Sequence, residues 1–153
     1  MLDIFTMRAY YIDMKTLAQT TQTTNAKPEA IFALWKDVDN WADHDEGIEW
    51  AKLVDEFGVG ARYVIKPKGG PKTKATIVTV IENQKFVDVS HLLGCEMTFD
   101  HTLEVRDGRT VVTLVMSLEG PLTWLWTKIL GKNQQADLEK STAKLIMAAE
   151  ANS

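Results

Sequence analysis

Between Cys95 and Val105 the chain alternates. Cys95, Met97, Phe99, Leu103 and Val105 share one parity with His101, while Glu96, Thr98, Asp100, Thr102 and Glu104 take the other. A period of two marks a strand with one buried face. The segment therefore predicts a strand whose inner face carries an imidazole. The stretch after it, "TVVTLVMSLEG", is apolar at Val112, Leu114, Met116 and Leu118. Asp107-Gly108 between the two is the strongest short signal for a two-residue hairpin turn. That turn pairs Arg106 with Arg109 and sets Leu103 opposite Val112, His101 opposite Leu114, Phe99 opposite Met116 and Met97 opposite Leu118. Cross-strand partners share a face. Turn chemistry and alternation thus give the same register independently.

The same reading extends upstream. "KTLAQTTQTT", Lys15 to Thr24, is threonine-rich and suits a strand. Asn25 offers an N-cap near Pro28, and "PEAIFALWKD" predicts a short helix with Ile31, Leu34 and Trp35 on one face. "VDNWADHDEG" is a second, poor helix or a loop. Strands follow at "IEWAKLV", "ARYVIKP", "TKATIVTVIE" and "KFVDVSHLL", separated by "FGVG", "KGGP" and "NQ" turns. A three-residue connection around Leu93 to Cys95 places His91 by Met97, Val89 by Phe99 and Val87 by His101, all on the inner face. After Gly120, Leu122, Leu125, Trp126, Ile129 and Leu130, then Leu138, Thr142, Leu145 and Ala149, recur at helical spacing. This predicts a long C-terminal helix that bends or breaks near Gly131.

Composition narrows the function classes. The 153 residues fit one domain, 45% hydrophobic and 25% charged. A chain of this length buries a core without disulfides. Its single cysteine, Cys95, excludes a disulfide framework and a cysteine metal cage, and a reducing cytoplasmic setting is expected. A net charge of −4 disfavours nucleic acid. "KPKGGPKTK" is a solvated turn, since no helix follows it to make a phosphate site. No apolar run reaches the roughly 18 residues that cross a bilayer, so no stable membrane insertion is expected. Residues 1–14, "MLDIFTMRAYYIDM", lack the pattern of a signal peptide and are expected to be an extension, with Met14 an alternative start. One domain then spans residues 15–151. There is no G-x-S-x-G, P-loop, G-x-G-x-x-G or H-E-x-x-H motif, and no cofactor or metal is expected.

The order of strand, two short helices, a run of antiparallel strands and one long helix predicts an α+β fold. It resembles the helix-grip fold of the START-like or SRPBCC superfamily. "NAKPEAIFALWKDVDNWADHDEGIEWAKLV" is similar to the family's opening, "GVGARYVI" to the glycine before its third strand, and "GPLTWLWTKILGKNQQADLEKSTAKLIMAAE" to its closing helix. The resemblance covers Lys15 to Ala151, and among the branches the polyketide cyclase/dehydrase-like proteins look closest. It implies a curved sheet of about six or seven strands wrapped around the C-terminal helix, with an apolar cavity between them. It also implies binding of a hydrophobic small molecule of lipid, polyketide or aromatic type, with cyclisation or dehydration in some members. The family has no single catalytic signature to carry over.

On that fold the cavity would be lined by Tyr63, Val87, Val89, His91, Met97, Phe99, His101, Leu114 and Met116, with Leu118 beyond them and Trp126 from the last helix. His101 and Tyr63 are the candidate acid/base residues, because imidazole titrates near neutrality. Simple pocket lining, or a neutral core histidine bonded to Tyr63, water or a backbone group, outweighs catalysis about two to one. His44 within "DHDE" belongs to a solvated acidic loop at the cavity mouth rather than to a metal site. Cys95 is expected to be packed and inert. Trp35, Trp41 and Trp50 are core builders. Trp124 and Trp126 lie on opposite sides of their helix, so one of them covers the mouth, packs on the extension or meets a partner. Homodimer contact ranks there above a membrane surface. Three functions remain open: a carrier, a cyclase or dehydratase, and a protein-interaction module with a vestigial cavity.

Overall fold

The computed structural model of the protein describes residues 14–152, so residues 1–13 of the expected extension lie outside the described residues. The strands are β1 (Lys15–Thr24), β2 (Ile48–Leu53), β3 (Arg62–Pro67), β4 (Thr73–Ile81), β5 (Lys85–Leu92), β6 (Cys95–Arg106) and β7 (Arg109–Glu119). They form one antiparallel sheet in the order β1-β7-β6-β5-β4-β3-β2. Helix α1 (Pro28–Lys36) and a 3-10 turn (Val38–Asp43) join β1 to β2, while α2 (Thr123–Leu130) and α3 (Gln134–Ala151) close the chain. This is the helix-grip α+β architecture. Register breaks between Thr16 and Ala18, Ile48 and Trp50, and Ile77 and Thr79 mark bulges, which bend strands and deepen the curl of a sheet.

Helix α1 starts where its residues allow. Pro28 has no N–H to lose at the first turn, and Glu29 and Lys36 sit at the ends that complement the helix dipole. Asn25 does not cap it. The N-cap residue is Lys27, without a side-chain bond. Asn25 lies two residues too early, and its side chain accepts a bond from Arg109 Nε at 3.1 Å. The C-terminal helix breaks at Gly131, whose φ of 79° leaves the helical region. α3 buries Leu138, Thr142, Leu145, Ile146 and Ala149 and packs on β1 and α1. α1 buries Ile31, Phe32 and Trp35 in one core with Phe86, Leu103 and Val112. Each such side chain contributes about 1.5–3 kcal/mol on burial.

The β6–β7 pairing follows the turn chemistry throughout, from Arg106 opposite Arg109 to Met97 opposite Leu118. Asp107 and Gly108 take the positive φ angles, 51° and 75°, that this turn needs. The β5–β6 pairing differs from the sequence reading by one residue. Leu92 pairs with Cys95, His91 with Glu96, Ser90 with Met97, Asp88 with Phe99 and Phe86 with His101. The connection is two residues long, Leu93-Gly94, not three. A slip of one residue exchanges the two faces of a strand. Phe86, Asp88 and Ser90 therefore face inward and are buried, while Val87, Val89 and His91 turn to the outer face.

The short turn is held in place by glycine at two points. Gly94 has φ 64°, and a Cβ there would stand 2.7 Å from Leu122 side-chain carbons. Gly120 has φ 125°, and a Cβ there would stand 2.7 Å from the Gly94 carbonyl oxygen and 3.0 Å from Cys95 Cα. The Leu122 amide donates to that same carbonyl at 2.9 Å. The exit of β7 is thus locked against the β5–β6 turn.

Gly120→Ala should lower the urea-unfolding free energy by about 2–4 kcal/mol, because backbone strain and contact with fixed backbone atoms add. Gly108→Ala, strained at φ 75° but with open space around its Cβ, should cost about 1–2 kcal/mol. Equal losses in the two variants would show that the clamp contributes nothing.

Candidate functional site

Two polar side chains meet inside the sheet. Tyr63 of β3 and Asp88 of β5 are 3% and 2% exposed, and the Tyr63 hydroxyl donates to Asp88 Oδ2 at 2.6 Å. β4 runs between them. There the small Ala75 pairs with Tyr63 on one side and Ser90 on the other, which leaves space for the phenol to reach across. Burial pushes the Asp88 carboxyl up to about 7, against the opposing pull of the Tyr63 bond. Burial, then the Asp88 charge and hydrogen bond, push the Tyr63 phenol well above its usual range. Asp88 Oδ1 has no hydrogen-bond partner among the described residues. The Thr142 hydroxyl on the inward face of α3 is likewise without one. A buried oxygen left in this way costs about 1–3 kcal/mol.

His101 is on the inner face as expected, but it belongs to an aromatic cluster. Its ring stacks on Phe86 at 4.0 Å and 16° and meets Trp35 edge-on at 5.2 Å. Nδ1 lies 3.1 Å from the Phe86 carbonyl oxygen. A carbonyl only accepts, so Nδ1 carries the proton. Burial lowers the imidazole to about 4, opposed by that same bond. The ring is neutral at pH 7, a packed core histidine tied to backbone.

Beyond this cluster the inner face opens. Met97 and Phe99 point inward from the central strand β6 yet are only half-buried, as are Leu53 of β2 and Ile65 of β3. Leu114 and Met116, on the neighbouring strand β7, are buried. Helix α2 buries none of its side chains fully. Its Trp126 is half-buried, with Nε1 donating to the Leu93 carbonyl at 2.8 Å, so it fastens α2 to the β5–β6 turn. Trp124 is 60% exposed, with the Lys128 ammonium 5.6 Å from its ring centroid. Two surface hollows lie elsewhere. One of about 670 Å³ surrounds Gly94, Gly120, His91 and Glu96, and one of about 570 Å³ lies beside Pro28 and Leu103 to Arg106. Neither includes the Asp88–Tyr63 pair.

The remaining candidates divide by position. Trp35 is core, and Trp41 packs edge-on against Tyr63 at 5.2 Å. Trp50 is not core: it is 37% exposed, with the Lys72 ammonium 5.8 Å from its ring centroid. His91 bonds Thr76 Oγ1 through Nε2 at 2.9 Å on the outer face. Cys95 is buried, its Sγ 3.8 Å from Thr123 Oγ1. The acidic loop reaches the C-terminal helix, where Glu46 pairs with Lys144 and, at 3.2 Å, with Lys140. His44 is lowered by burial, against the opposing charges of Asp45, Asp43 and Asp37. No three His, Cys, Asp or Glu side chains among the described residues are placed to hold a metal ion. Asp88 is the residue that the sequence reading missed. Its signal was the parity Phe86, Asp88, Ser90, masked by Val87 and Val89 in between.

The two buried titratable groups act oppositely on stability. Asp88 is raised in the folded state, so the native protein holds its proton longer than the unfolded chain does. It contributes a loss of stability that grows from about pH 4 to above 7, with an upper limit of about 4 kcal/mol. His101 is lowered, so its contribution is a gain that grows from about pH 4 to 6.5, up to about 3 kcal/mol. Urea midpoints of Asp88→Asn should therefore rise from pH 4 to 6.5 and then level. Those of the unsubstituted protein should be flatter to pH 6.5 and fall from there to pH 8. His101→Phe should fall throughout. Parallel curves for Asp88→Asn and the unsubstituted protein between pH 4 and 7 would rule out a buried ionisation at Asp88.

No family model matches the chain, and no curated protein matches it. Solved structures do. TTHA0849 from Thermus thermophilus superposes with a TM-score of 0.70 at 19% identity, over 89% of this chain and 98% of that one. Norcoclaurine synthase from Thalictrum flavum, in complex with dopamine and hydroxybenzaldehyde, gives 0.69 at 12% identity, over 92% and 88%. Ara h 8.0201 gives 0.62 at 14% identity, over 91% and 97%. At such identities the likeness is one of fold, and the chain is a helix-grip protein similar to these three.

Proposed function

We propose that the protein binds a hydrophobic small molecule, of lipid, polyketide or aromatic type, between the inner face of the sheet and the C-terminal helices. One observation carries this reading. Met97 and Phe99 face inward from a central strand and are nevertheless half-open, beside a buried polar pair with an unused oxygen. Apolar walls with few convergent polar groups are the usual chemistry of a ligand site. The fold supports it: a structure similar to this one, norcoclaurine synthase, holds two aromatic molecules.

A second reading has its own observation. A carboxyl raised to about 7 is poised to give or take a proton near neutrality. A cyclase or dehydratase built on this chain would use Asp88 with Tyr63, while His101 is held in the core.

Native mass spectrometry of protein from its own host, followed by organic extraction, should yield a bound hydrophobic compound. Loss of water from that compound on prolonged incubation would favour the enzyme reading. The neutral probe N-phenylnaphthylamine should bind and fluoresce. Met97→Trp should fill the opening and weaken probe binding about tenfold or more, while its urea stability falls by no more than about 3 kcal/mol. Unchanged probe binding in Met97→Trp would place the ligand elsewhere.

A further inference from the structure

Resting on that binding reading, we propose that the inner-face site at Asp88 takes the protonated amine of a hydrophobic ligand. The geometry leaves one function unfilled. Asp88 Oδ2 already accepts from Tyr63 at 2.6 Å. Oδ1 accepts from nothing among the described residues. What the ionised form of the site lacks is a donor, so an amine or hydroxyl fits that form.

The charge around the site favours the amine. Every Lys or Arg salt bridge among the described residues is made elsewhere, with Glu46, Glu49, Asp55, Glu82, Asp100 or Glu104 as the acid. The side chains that share the inner face with Asp88 in the same rows are Ile77 and Phe99. Tyr63 from β3 is the titratable group in contact with it. His101, two positions from Phe99 on β6, is neutral above about pH 4. When ionised, the Asp88 carboxylate is therefore a buried anion without a counter-ion among the described residues, and such an anion is costly unless it is paired. A cationic ligand supplies the missing charge and the missing donor in one group.

The test uses naphthylmethylamine and naphthylmethanol, equal in shape and differing in the donor's charge. Each is titrated against bound N-phenylnaphthylamine. Near pH 8 the amine should displace the probe at about tenfold lower concentration than the alcohol. That advantage should shrink near pH 5.5, where Asp88 is protonated. Asp88→Asn keeps an acceptor for Tyr63 but should treat amine and alcohol alike. Tyr63→Phe keeps the carboxylate and should keep the amine preference. Equal displacement by amine and alcohol in the unsubstituted protein, or an amine preference surviving in Asp88→Asn, overturns the proposal. Should Asp88→Asn fail to fold, the matched pair and its pH profile in Tyr63→Phe decide it. Failure of the probe to bind the unsubstituted protein at all would instead count against the binding reading itself.

Discussion

The turn at Leu93-Gly94 fixes which side of β5 faces the interior. Two residues bridge the hairpin because Gly94 takes a positive φ, and that turn is pressed between Leu122 and the backbone at Gly120. One more residue there would rotate the strand by a half-period. Val87, Val89 and His91 would then enter the core, and Phe86, Asp88 and Ser90 would leave it. The aromatic stack on His101 needs Phe86 inside, and the pair with Tyr63 needs Asp88 inside. Core and candidate site thus depend on the same close approach between β7's exit and the β5–β6 turn.

The interior accommodates its polar groups in two ways. His101 gives up its charge and spends Nδ1–H on a backbone carbonyl, so it behaves as a flat aromatic filler between Phe86 and Trp35. Asp88 has only half a solution. One oxygen is satisfied by Tyr63, the other is not, and burial holds the group near the point where it is half ionised at neutral pH. A group in that state is expensive to keep for packing alone. The difference marks Asp88, and not His101, as the polar feature of the interior with an unfilled capacity.

The frame around this pair is closed unevenly. α3 lies on β1 and α1, and its Lys140 and Lys144 reach the Glu46 loop that leads into β2. These exposed ion pairs link the helix to the far edge of the sheet, but solvent screening leaves them little energetic weight. α2 stands over the turn end, fastened by the Trp126 bond and showing Trp124 to solvent. Between these elements Met97 and Phe99 keep their partial exposure.

Much of the architecture was legible from local chemistry. Asp107-Gly108 and the alternation of β6 and β7 fixed their register, since both signals are short-range and point the same way. The helix break at Gly131 and the inward histidine could be read for the same reason. The β5–β6 register could not. The chain there shows the more apolar parity at Val87 and Val89 and sets Phe86 with the polar Asp88 and Ser90, and only the contact of Gly94 with Leu122 and Gly120 selects between turns of two and three residues. The Asp88–Tyr63 pair was beyond the sequence as well, because it joins strands separated by a third and depends on Ala75 being small between them. The sequence by itself determined the elements, their order and one hairpin, because hydrophobic period and turn residues act over a few positions. The tertiary structure decided which polar groups share the interior, because that depends on contacts between segments far apart along the chain.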